Sequence, residues 1–359
     1  MAKVSIIVPT YNEKQTIERL VEGVFEALNG ASFELIIVDD GSPDGTGELA
    51  DQLATARPNL RVIHRPAKSG RGTALVEGMK AADGDIFGIM DGDMQHPPDV
   101  LRKLLDEAEA GADVAIASRY VGGGGTEDRS AARSIVSKGA LWLSHLFLPQ
   151  TRHVKDTQSG YFLFHRKVVD GVSIDVRGFT ALVEVLAKGK YAKTVEVPYT
   201  FRRRVAGESK LGGTEVLRYV AQLLRLSEYR VFKFMGVGAS GLLVNNAVLW
   251  ALVTRSGYSP LTASLVAIEA SILSNFIFNH LWTFRQRKAI PWPITLAKYH
   301  GSVAIGAAVN FATLAVLLGA GAQLLLANTV GIVLGFVSNY ILSEKVVWRY
   351  KEAPGLGGP

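Results

Sequence analysis

The sequence predicts an α/β domain with a mostly parallel sheet, followed by an all-α membrane domain. Over residues 1–212, short β-branched runs alternate with helical patterns, which is typical of a parallel sheet covered by helices. Over residues 233–350, four long apolar segments follow one another. They explain why hydrophobic residues make up 48% of the 359-residue chain. A chain of this length is expected to form about two domains.

The composition excludes some classes of site. The chain has no cysteine, which rules out disulfides, thiolate metal sites and cysteine nucleophiles. Its formal charge of +6 suits nucleic acid, a membrane surface or an anionic substrate. A strand-like run at residues 3–9 opens the chain, so we expect no cleavable signal peptide.

The α/β part contains five predicted strands and four predicted helices. The strands are Val4–Val8, Leu35–Val38, Leu60–Ile63, Ile86–Met90 and Val114–Ala117. The helices are Lys14–Leu28, Gly47–Ala56, Gly72–Ala82 and Asp99–Ala110. Ligands gather at the carboxyl ends of the strands in such a sheet. Four strand exits carry polar groups, at residues 9–13, 39–42, 91–93 and 118–120.

Two carboxylates follow the apolar run at residues 85–90. Asp91 and Asp93 leave the predicted strand on one side, and Gln95 comes next in the same register. Their hard oxygens suit Mg²⁺ or Mn²⁺, whereas a strand ending in an Asx turn is the structural alternative. A nucleotide bound beside carboxylates needs a cation between them. The four polar exits together therefore favour the metal site.

Five motifs in this order resemble the family-2 glycosyltransferases of the GT-A fold, and more narrowly the dolichol- or polyprenyl-phosphate mannose synthases. The resemblance covers residues 3–230 and is carried by residues 8–13, 38–46, 91–98, 118–120 and 201–210. It implies that Asp91, Asp93 and Gln95 bind an Mg²⁺ or Mn²⁺ ion that bridges the donor diphosphate. The residues it implies for the nucleotide are Pro9, Tyr11, Glu13, Val38, Asp39, Asp40, Gly70, Arg71 and Asp91.

One position departs from this family pattern. The loop after the third strand usually reads Gly-Leu-Gly, whereas here it reads Gly70-Arg71-Gly72. Two interpretations stay open for Arg71, either a solvated side chain or an additional donor to the nucleotide phosphates.

The resemblance also implies an acceptor side that binds a lipid phosphate. Arginine forks suit this role because they pair bidentately with phosphate oxygens and stay charged. The implied phosphate-binding residues are Arg119, Arg133, Ser137, Arg204 and Lys210. The implied catalytic residues are Asp93, Arg119, Arg133 and Arg204. A solvated basic loop or a basic membrane-surface patch is the alternative for the arginines at residues 202–204. Residues 156–161 are interpreted as scaffold.

Two apolar stretches precede the membrane domain. Residues 213–232 alternate apolar and basic side chains, which predicts an amphipathic helix in the membrane interface; a buried helix of the catalytic domain is the alternative. Residues 141–148 are apolar and predict either core packing or a groove for a lipid tail.

Four segments are long enough to cross a hydrocarbon core of ~30 Å. They are residues 234–253, 261–282, 295–318 and 323–347. The positive-inside rule places the catalytic domain, the middle loop and the C-terminus in the cytoplasm. Residues 351–359 are expected to be a disordered tail. Residues 233–285 recur as residues 298–349, one helical hairpin per repeat, and resemble the GtrA-like membrane proteins. Glu269 lies within the second span and is a functional candidate for that reason.

The expected function is transfer of mannose, with inversion, from GDP-mannose to a dolichyl or polyprenyl phosphate. A multi-pass protein of the cell membrane is expected if the source is prokaryotic, without nucleic acid as a partner. A UDP-glucose-dependent glucosyltransferase is the alternative. Two further alternatives are a processive polysaccharide synthase, whose Gln-x-x-Arg-Trp signature lacks its tryptophan at Leu226, and a lipid-sugar flippase that uses Glu269.

Overall fold

The computed structural model describes residues 2–127, 131–175, 180–204, 213–287 and 290–349, with the backbone alone at residues 131–133 and 213. The chain forms two compact units, and it passes from the first to the second between Leu226 and Ser227. The first unit is built around a seven-stranded sheet, and the second unit is helical.

The first unit alternates strands and helices along its first 118 residues. Its strands are β1 Val4–Thr10, β2 Phe33–Asp39, β3 Leu60–His64, β4 Ile86–Ile89, β5 Val114–Ser118, β6 Gly125–Thr126, β7 Phe162–His165, β8 Thr194–Pro198 and β9 Thr200–Phe201. Its helices are α1 Ile17–Ala27, α2 Thr46–Thr55, α3 Arg71–Ala81, α4 Val100–Glu109, α5 Ala131–Phe147, α6 Ala181–Lys188 and α7 Gly213–Leu226.

The sheet order is β3-β2-β1-β4-β7-β5-β8. All neighbours are parallel except β7, which runs antiparallel to both β4 and β5. Thr10 pairs with Asp39 and Asp39 with His64, so the carboxyl ends of β1, β2 and β3 lie level along one edge. This alignment brings together the polar residues that follow these strands.

The core has two layers because successive strand residues point to opposite faces. Ile6 and Leu35 pack on one face with α1 and α4, whereas Ile7 and Ile36 pack on the other face with α3 and α6. Burial on both faces explains why β1 and β2 read as continuous apolar runs. The mostly parallel α/β fold expected from the sequence is confirmed. The sequence reading did not include β7 or β8.

The second unit has four helices that are long and apolar enough to cross a membrane. They are α8 Arg230–Thr254, α9 Pro260–Phe278, α10 Trp292–Gly319 and α11 Leu324–Leu342. One π-helical turn prolongs α9 through Asn279–Thr283, and another prolongs α11 through Ser343–Val347. The four spans overlap the four segments predicted from the sequence.

The internal repeat of the sequence is visible in the aromatic packing of this unit. Phe234 at the start of α8 packs on Phe284 and Tyr340, at ring-centroid distances of 6.3 and 5.5 Å. Tyr299, the corresponding residue of α10, packs on Trp348 and Phe276 at 5.4 and 5.9 Å. Each hairpin therefore contributes one ring to a contact with the other.

Candidate active site

The two carboxylates that follow β4 each form an ion pair with an arginine. Arg71 Nη2 lies 2.6 Å from Asp91 Oδ1, and Arg204 Nη2 donates to Asp93 Oδ2 at 2.7 Å. Arg71 begins α3, whereas Arg204 follows β9. Three separate chain segments thus meet at the carboxyl end of β4, as the sequence predicts for a ligand site in a parallel sheet.

Gln95 connects the Asp91–Asp93 turn to the segment that carries Arg204. Its Nε2 donates to the carbonyl of Arg202 at 3.2 Å, and its own carbonyl accepts the Arg202 N–H at 3.0 Å. Its backbone N–H donates to Asp93 Oδ1 at 3.1 Å. The side-chain amide oxygen is the atom of Gln95 that remains to bind a cation.

A third carboxyl group, Glu13, lies beside the same site. Burial, and after it the charge of the neighbouring Asp93, raise the pKa of Glu13 to about 7. Within the described residues, no three His, Asp or Glu side chains are arranged as a metal site. The surplus of hard carboxylate oxygens still fits Mg²⁺ or Mn²⁺, provided that Gln95 or donor phosphates complete the ligand set.

His96 is a site residue that the sequence reading missed. Its Nδ1 accepts the backbone N–H of Asp91 at 3.0 Å, so its proton lies on Nε2. The ring stacks on Tyr161 at 5.1 Å, and burial lowers the pKa of His96 to about 3. His96 is therefore a neutral support that orients Asp91. Its place between Gln95 and Pro97, inside the acidic motif, is the signal that could have identified it.

The predicted nucleotide residues lie along the ends of β1 and β2. Asp39 accepts the Ser42 N–H at 3.0 Å and the Ser42 hydroxyl at 2.5 Å. Asp40 accepts the N–H groups of Ser69 and Gly70 at 2.9 and 2.8 Å. The two aspartates thus hold the loops that follow β2 and β3 in place.

The remaining members of this group have different environments. Gly70 has a φ of +100°, which a residue with a side chain rarely adopts. The Lys68 ammonium lies 3.7 Å from the centre of the Tyr11 ring. Pro9 belongs to β1 and pairs with Val38, which is fully buried in β2.

Arg119 is fixed by a fully buried carboxylate. Its Nε and Nη2 donate to the two oxygens of Asp156 at 2.8 and 2.7 Å, and its backbone N–H donates to Asp156 Oδ2 at 3.0 Å. Although burial opposes its charge, Asp156 holds the pKa of Arg119 above its ordinary value. Arg119 therefore presents a permanent positive charge in a fixed orientation.

A cavity of about 410 Å³ opens beside these groups. Its polar end is formed by Arg71, Asp91, His96 and Arg119, and Ser137 also lines it. Its apolar walls come from α5 and α7, through Val136, Ala140, Leu143, Val216, Tyr219 and Val220. One cavity thus has both a charged end and apolar walls.

Helix α7 has two different faces. Tyr219 and Leu223 are buried, and the Tyr219 hydroxyl donates to the carbonyl of Ala140 on α5 at 3.3 Å. Leu217 is 70% exposed. One face of α7 therefore packs on α5, and the other face exposes the apolar Leu217 and the basic Arg218.

The comparisons with known proteins agree with these features. Residues 5–172 match the Glycosyl transferase family 2, and residues 233–352 match the GtrA/DPMS transmembrane domain. A dolichol-phosphate mannosyltransferase of Pyrococcus furiosus is 43% identical over 96% of this chain and 99% of its own length. The chain belongs to the family-2 glycosyltransferases, in the group of the dolichol-phosphate mannosyltransferases.

Further relatives share the catalytic part. A polyprenol monophosphomannose synthase of Mycolicibacterium smegmatis is 37% identical over 59% of this chain and 82% of its own length. A Saccharomyces cerevisiae dolichol-phosphate mannosyltransferase is 34% identical over 67% and 90%. Glucosyl-3-phosphoglycerate synthase of Mycobacterium tuberculosis, crystallised with Mn²⁺, UDP-glucose and phosphoglyceric acid, has a TM-score of 0.50 at 20% identity, over 63% of this chain and 80% of that chain. This last likeness shows the GT-A fold alone.

Most of the predicted site residues of this glycosyltransferase lie at or after the carboxyl ends of β1 to β5, but the side chains of two are outside the described residues. The backbone of Arg133 belongs to α5, whereas its side chain lies outside the described residues. Lys210 lies outside them entirely. The acceptor roles of Arg119, Arg133, Ser137, Arg204 and Lys210 stay predictions; Arg119 and Ser137 line the cavity.

Proposed function

We propose that this integral membrane glycosyltransferase moves mannose from GDP-mannose to a dolichyl or polyprenyl phosphate, giving polyprenyl-phosphate mannose and GDP. The observation that carries the proposal is the single cavity with a charged end and apolar walls. A polyprenyl phosphate has the same two-part chemistry, and the relatives with mannosyltransferase names support the choice of mannose.

The charged end supplies the groups that the transfer needs. Asp91 and Asp93, with the oxygen of Gln95, would hold Mg²⁺ or Mn²⁺, which when bound stabilises charge on the departing diphosphate. The carboxylates also keep the loops of Arg71 and Arg204 beside that position. Neutral His96 fixes the turn by accepting the Asp91 N–H.

The acceptor phosphate is itself the nucleophile. A phosphate monoester is mostly ionised near neutral pH, since its second pKa is about 6, so no protein base has to remove a proton. Arg119 keeps N–H groups on the side away from Asp156, and these can bind phosphate oxygens. The oxygen attacks the anomeric carbon as the bond to the diphosphate breaks, which inverts the anomeric configuration.

The apolar walls suit the first prenyl units of the acceptor. Val136 and Leu143 on α5 line the cavity together with Val216 and Val220 on α7. Burying apolar carbon there is favourable by about 25 cal/mol per Å². A lipid tail would therefore guide its phosphate toward Arg119.

The test is transfer of radiolabelled sugar into organic-extractable lipid. GDP-mannose and UDP-glucose are offered separately with polyprenyl phosphate and Mn²⁺, to the wild type, to Asp93→Ala and to Asp106→Ala. Asp106 pairs with Arg102 on an exposed face of α4 and is the matched control. Mannose transfer that is lost only in Asp93→Ala supports the proposal. Glucose transfer changes the donor, and transfer from neither donor overturns the function.

We also propose that the catalytic unit faces the cytoplasm. Arg285, Arg287 and Lys298 lie between the second and third spans, and the positive-inside rule places this loop in the cytoplasm. Two spans separate the loop from the catalytic unit, so both lie on the same side of the membrane. The absence of native cysteine permits a direct test with Ser256→Cys and Arg285→Cys. An impermeant maleimide added to intact cells should label only Ser256→Cys. The reverse pattern would contradict the orientation.

A further inference from the structure

The guanidinium of Arg71 lies against Gly160, a residue far from it in the sequence. A Cβ on Gly160 would lie only 2.7 Å from Arg71 Nη2. Beside Gly160, the same Nη2 lies 2.6 Å from Asp91 Oδ1.

The Arg71–Asp91 pair is open to solvent and to the cavity. The side chains are 41% and 25% exposed, and both residues line the charged end. By contrast, Asp156 is fully buried beneath Arg119. Solvent that reaches both side chains screens the pair, so Arg71 can exchange Asp91 for another partner.

We propose that Arg71 is an exchangeable counter-ion of the metal site. It neutralises Asp91 while no divalent cation is bound, and it turns to phosphate oxygens in the same cavity when a cation takes that carboxylate. The inference rests on the proposed function, since it assumes that Asp91 is a metal ligand.

The exchange follows from competition for one oxygen. A guanidinium 2.6 Å from Asp91 Oδ1 occupies the position that a divalent cation would need on that oxygen. Once displaced, the guanidinium remains at the N-terminus of α3, in a cavity that also holds Arg119. Two arginine forks then face the cavity, and such forks bind phosphate dianions bidentately.

Two phosphates would be recognised by the same chemistry, the donor diphosphate and the acceptor monoester. The two phosphates are distinguished by whether a substitution of Arg71 weakens binding of the donor or of the acceptor. Loss of Arg71 raises the Kd of GDP if the guanidinium moves to the donor. It raises the KM of polyprenyl phosphate at unchanged GDP affinity if it moves to the acceptor.

The first experiment measures Mn²⁺ binding to the purified full-length chain without nucleotide, by the electron paramagnetic resonance of free Mn²⁺. Arg71→Leu is expected to bind Mn²⁺ about fivefold more tightly than the wild type, because a competing cation is gone. Arg71→Lys, which keeps the charge, and Arg102→Leu, on the exposed face of α4, should bind like the wild type. Asp91→Asn should bind Mn²⁺ weakly.

The second experiment measures GDP affinity and polyprenyl-phosphate KM at saturating Mn²⁺. Arg71→Leu should lose about tenfold in one of the two, because a charge-assisted bond is removed. Equal Mn²⁺ affinity of Arg71→Leu and wild type, or no Mn²⁺ binding to either, overturns the counter-ion. Unchanged GDP affinity together with unchanged KM overturns the move to phosphate.

These readouts separate the inference from the proposed function. Mn²⁺ and GDP binding need no sugar transfer, so tighter Mn²⁺ binding by Arg71→Leu supports the counter-ion even if mannose is not the sugar transferred. Tighter binding also cannot result from misfolding of the variant.

Discussion

The catalytic unit and the membrane unit pair carboxylates with arginines in opposite ways. In the catalytic unit, Asp91 pairs with Arg71 at a cavity, and both side chains are partly exposed. In the membrane unit, Glu344 lies fully buried and binds both Arg230 and Arg287. The Tyr340 hydroxyl donates to the same carboxylate at 3.0 Å. The partners are of the same kind, and only their surroundings differ.

This difference separates exchangeable ion pairs from permanent ones. Solvent screens an exposed pair, so a metal ion or a phosphate can replace one partner. A buried pair has already lost its hydration, and removal of one partner leaves an uncompensated charge. Arg119 and Asp156 lie between these limits, since Asp156 is buried but Arg119 borders the cavity.

The largest predicted effect is on the stability of the membrane unit. Glu344→Gln leaves Arg230 and Arg287 without their carboxylate, which should destabilise the fold by about 3–5 kcal/mol. Thermal unfolding in detergent should show a clearly lower midpoint. The neighbouring Lys345 is exposed, and Lys345→Gln should change little. Equal midpoints for both variants would show that Glu344 is not needed for stability.

The next effect concerns activity and tests a pair whose carboxylate is buried but whose arginine is partly exposed. Asp93→Asn removes a charge that Arg204 and the proposed metal share, so sugar transfer should fall by about 10²–10³-fold. The unfolding midpoint should move less than in Glu344→Gln, because Arg204 is partly exposed and can be solvated. The measurements are lipid-linked label and thermal unfolding. A variant that unfolds as readily as Glu344→Gln would place Asp93 with the permanent pairs.

A smaller effect is expected for the pair that lies between the two limits. Arg119→Lys keeps the positive charge but loses the fork that binds both oxygens of Asp156. We expect about a tenfold rise in the KM of polyprenyl phosphate, with the donor KM unchanged. Steady-state kinetics with each substrate varied in turn measures this, with Arg102→Lys as the control. A change confined to the donor KM would move Arg119 to the nucleotide side.

The parts of the site that follow from strand order could be predicted from the sequence. Asp91 and Asp93 end an apolar run, and parallel strands bring such ends to one edge. The polar exits of β1 and β2 reach that edge by the same rule. Residue pattern and resemblance therefore predicted the fold class and placed the acidic motif at the end of β4, but they did not predict β7 or β8.

Contacts across the chain could not be predicted in this way. Arg119 and Asp156 are separated by 37 positions and meet because β7 inserts antiparallel between β4 and β5. Arg71 and Asp91 come from different elements and pair beside Gly160. Periodicity reports the face of an element, whereas these contacts depend on which elements become neighbours.

The smallest predicted effect concerns Asp113, a carboxylate held mainly by the backbone. It accepts the N–H groups of Ala192 and Lys193 at 2.8 and 3.0 Å, and the Lys167 ammonium at 2.7 Å. Although partial burial opposes the charge, these donors hold the pKa of Asp113 below its ordinary value. Asp113 therefore stabilises the folded state above its unfolded pKa of about 4, and this contribution is lost as pH falls through the lower folded value.

Asp113→Asn should accordingly lower stability by less than roughly 1 kcal/mol near neutral pH, after solvent screening. The difference from wild type should shrink as the pH is lowered below about 4. Thermal midpoints across this range measure it, with the exposed Asp106→Asn as the control. Because the partners of Asp113 are fixed, its Mn²⁺ affinity should equal that of the wild type. A variant that changed Mn²⁺ binding would show that exposure alone does not decide which carboxylates of this chain are exchangeable.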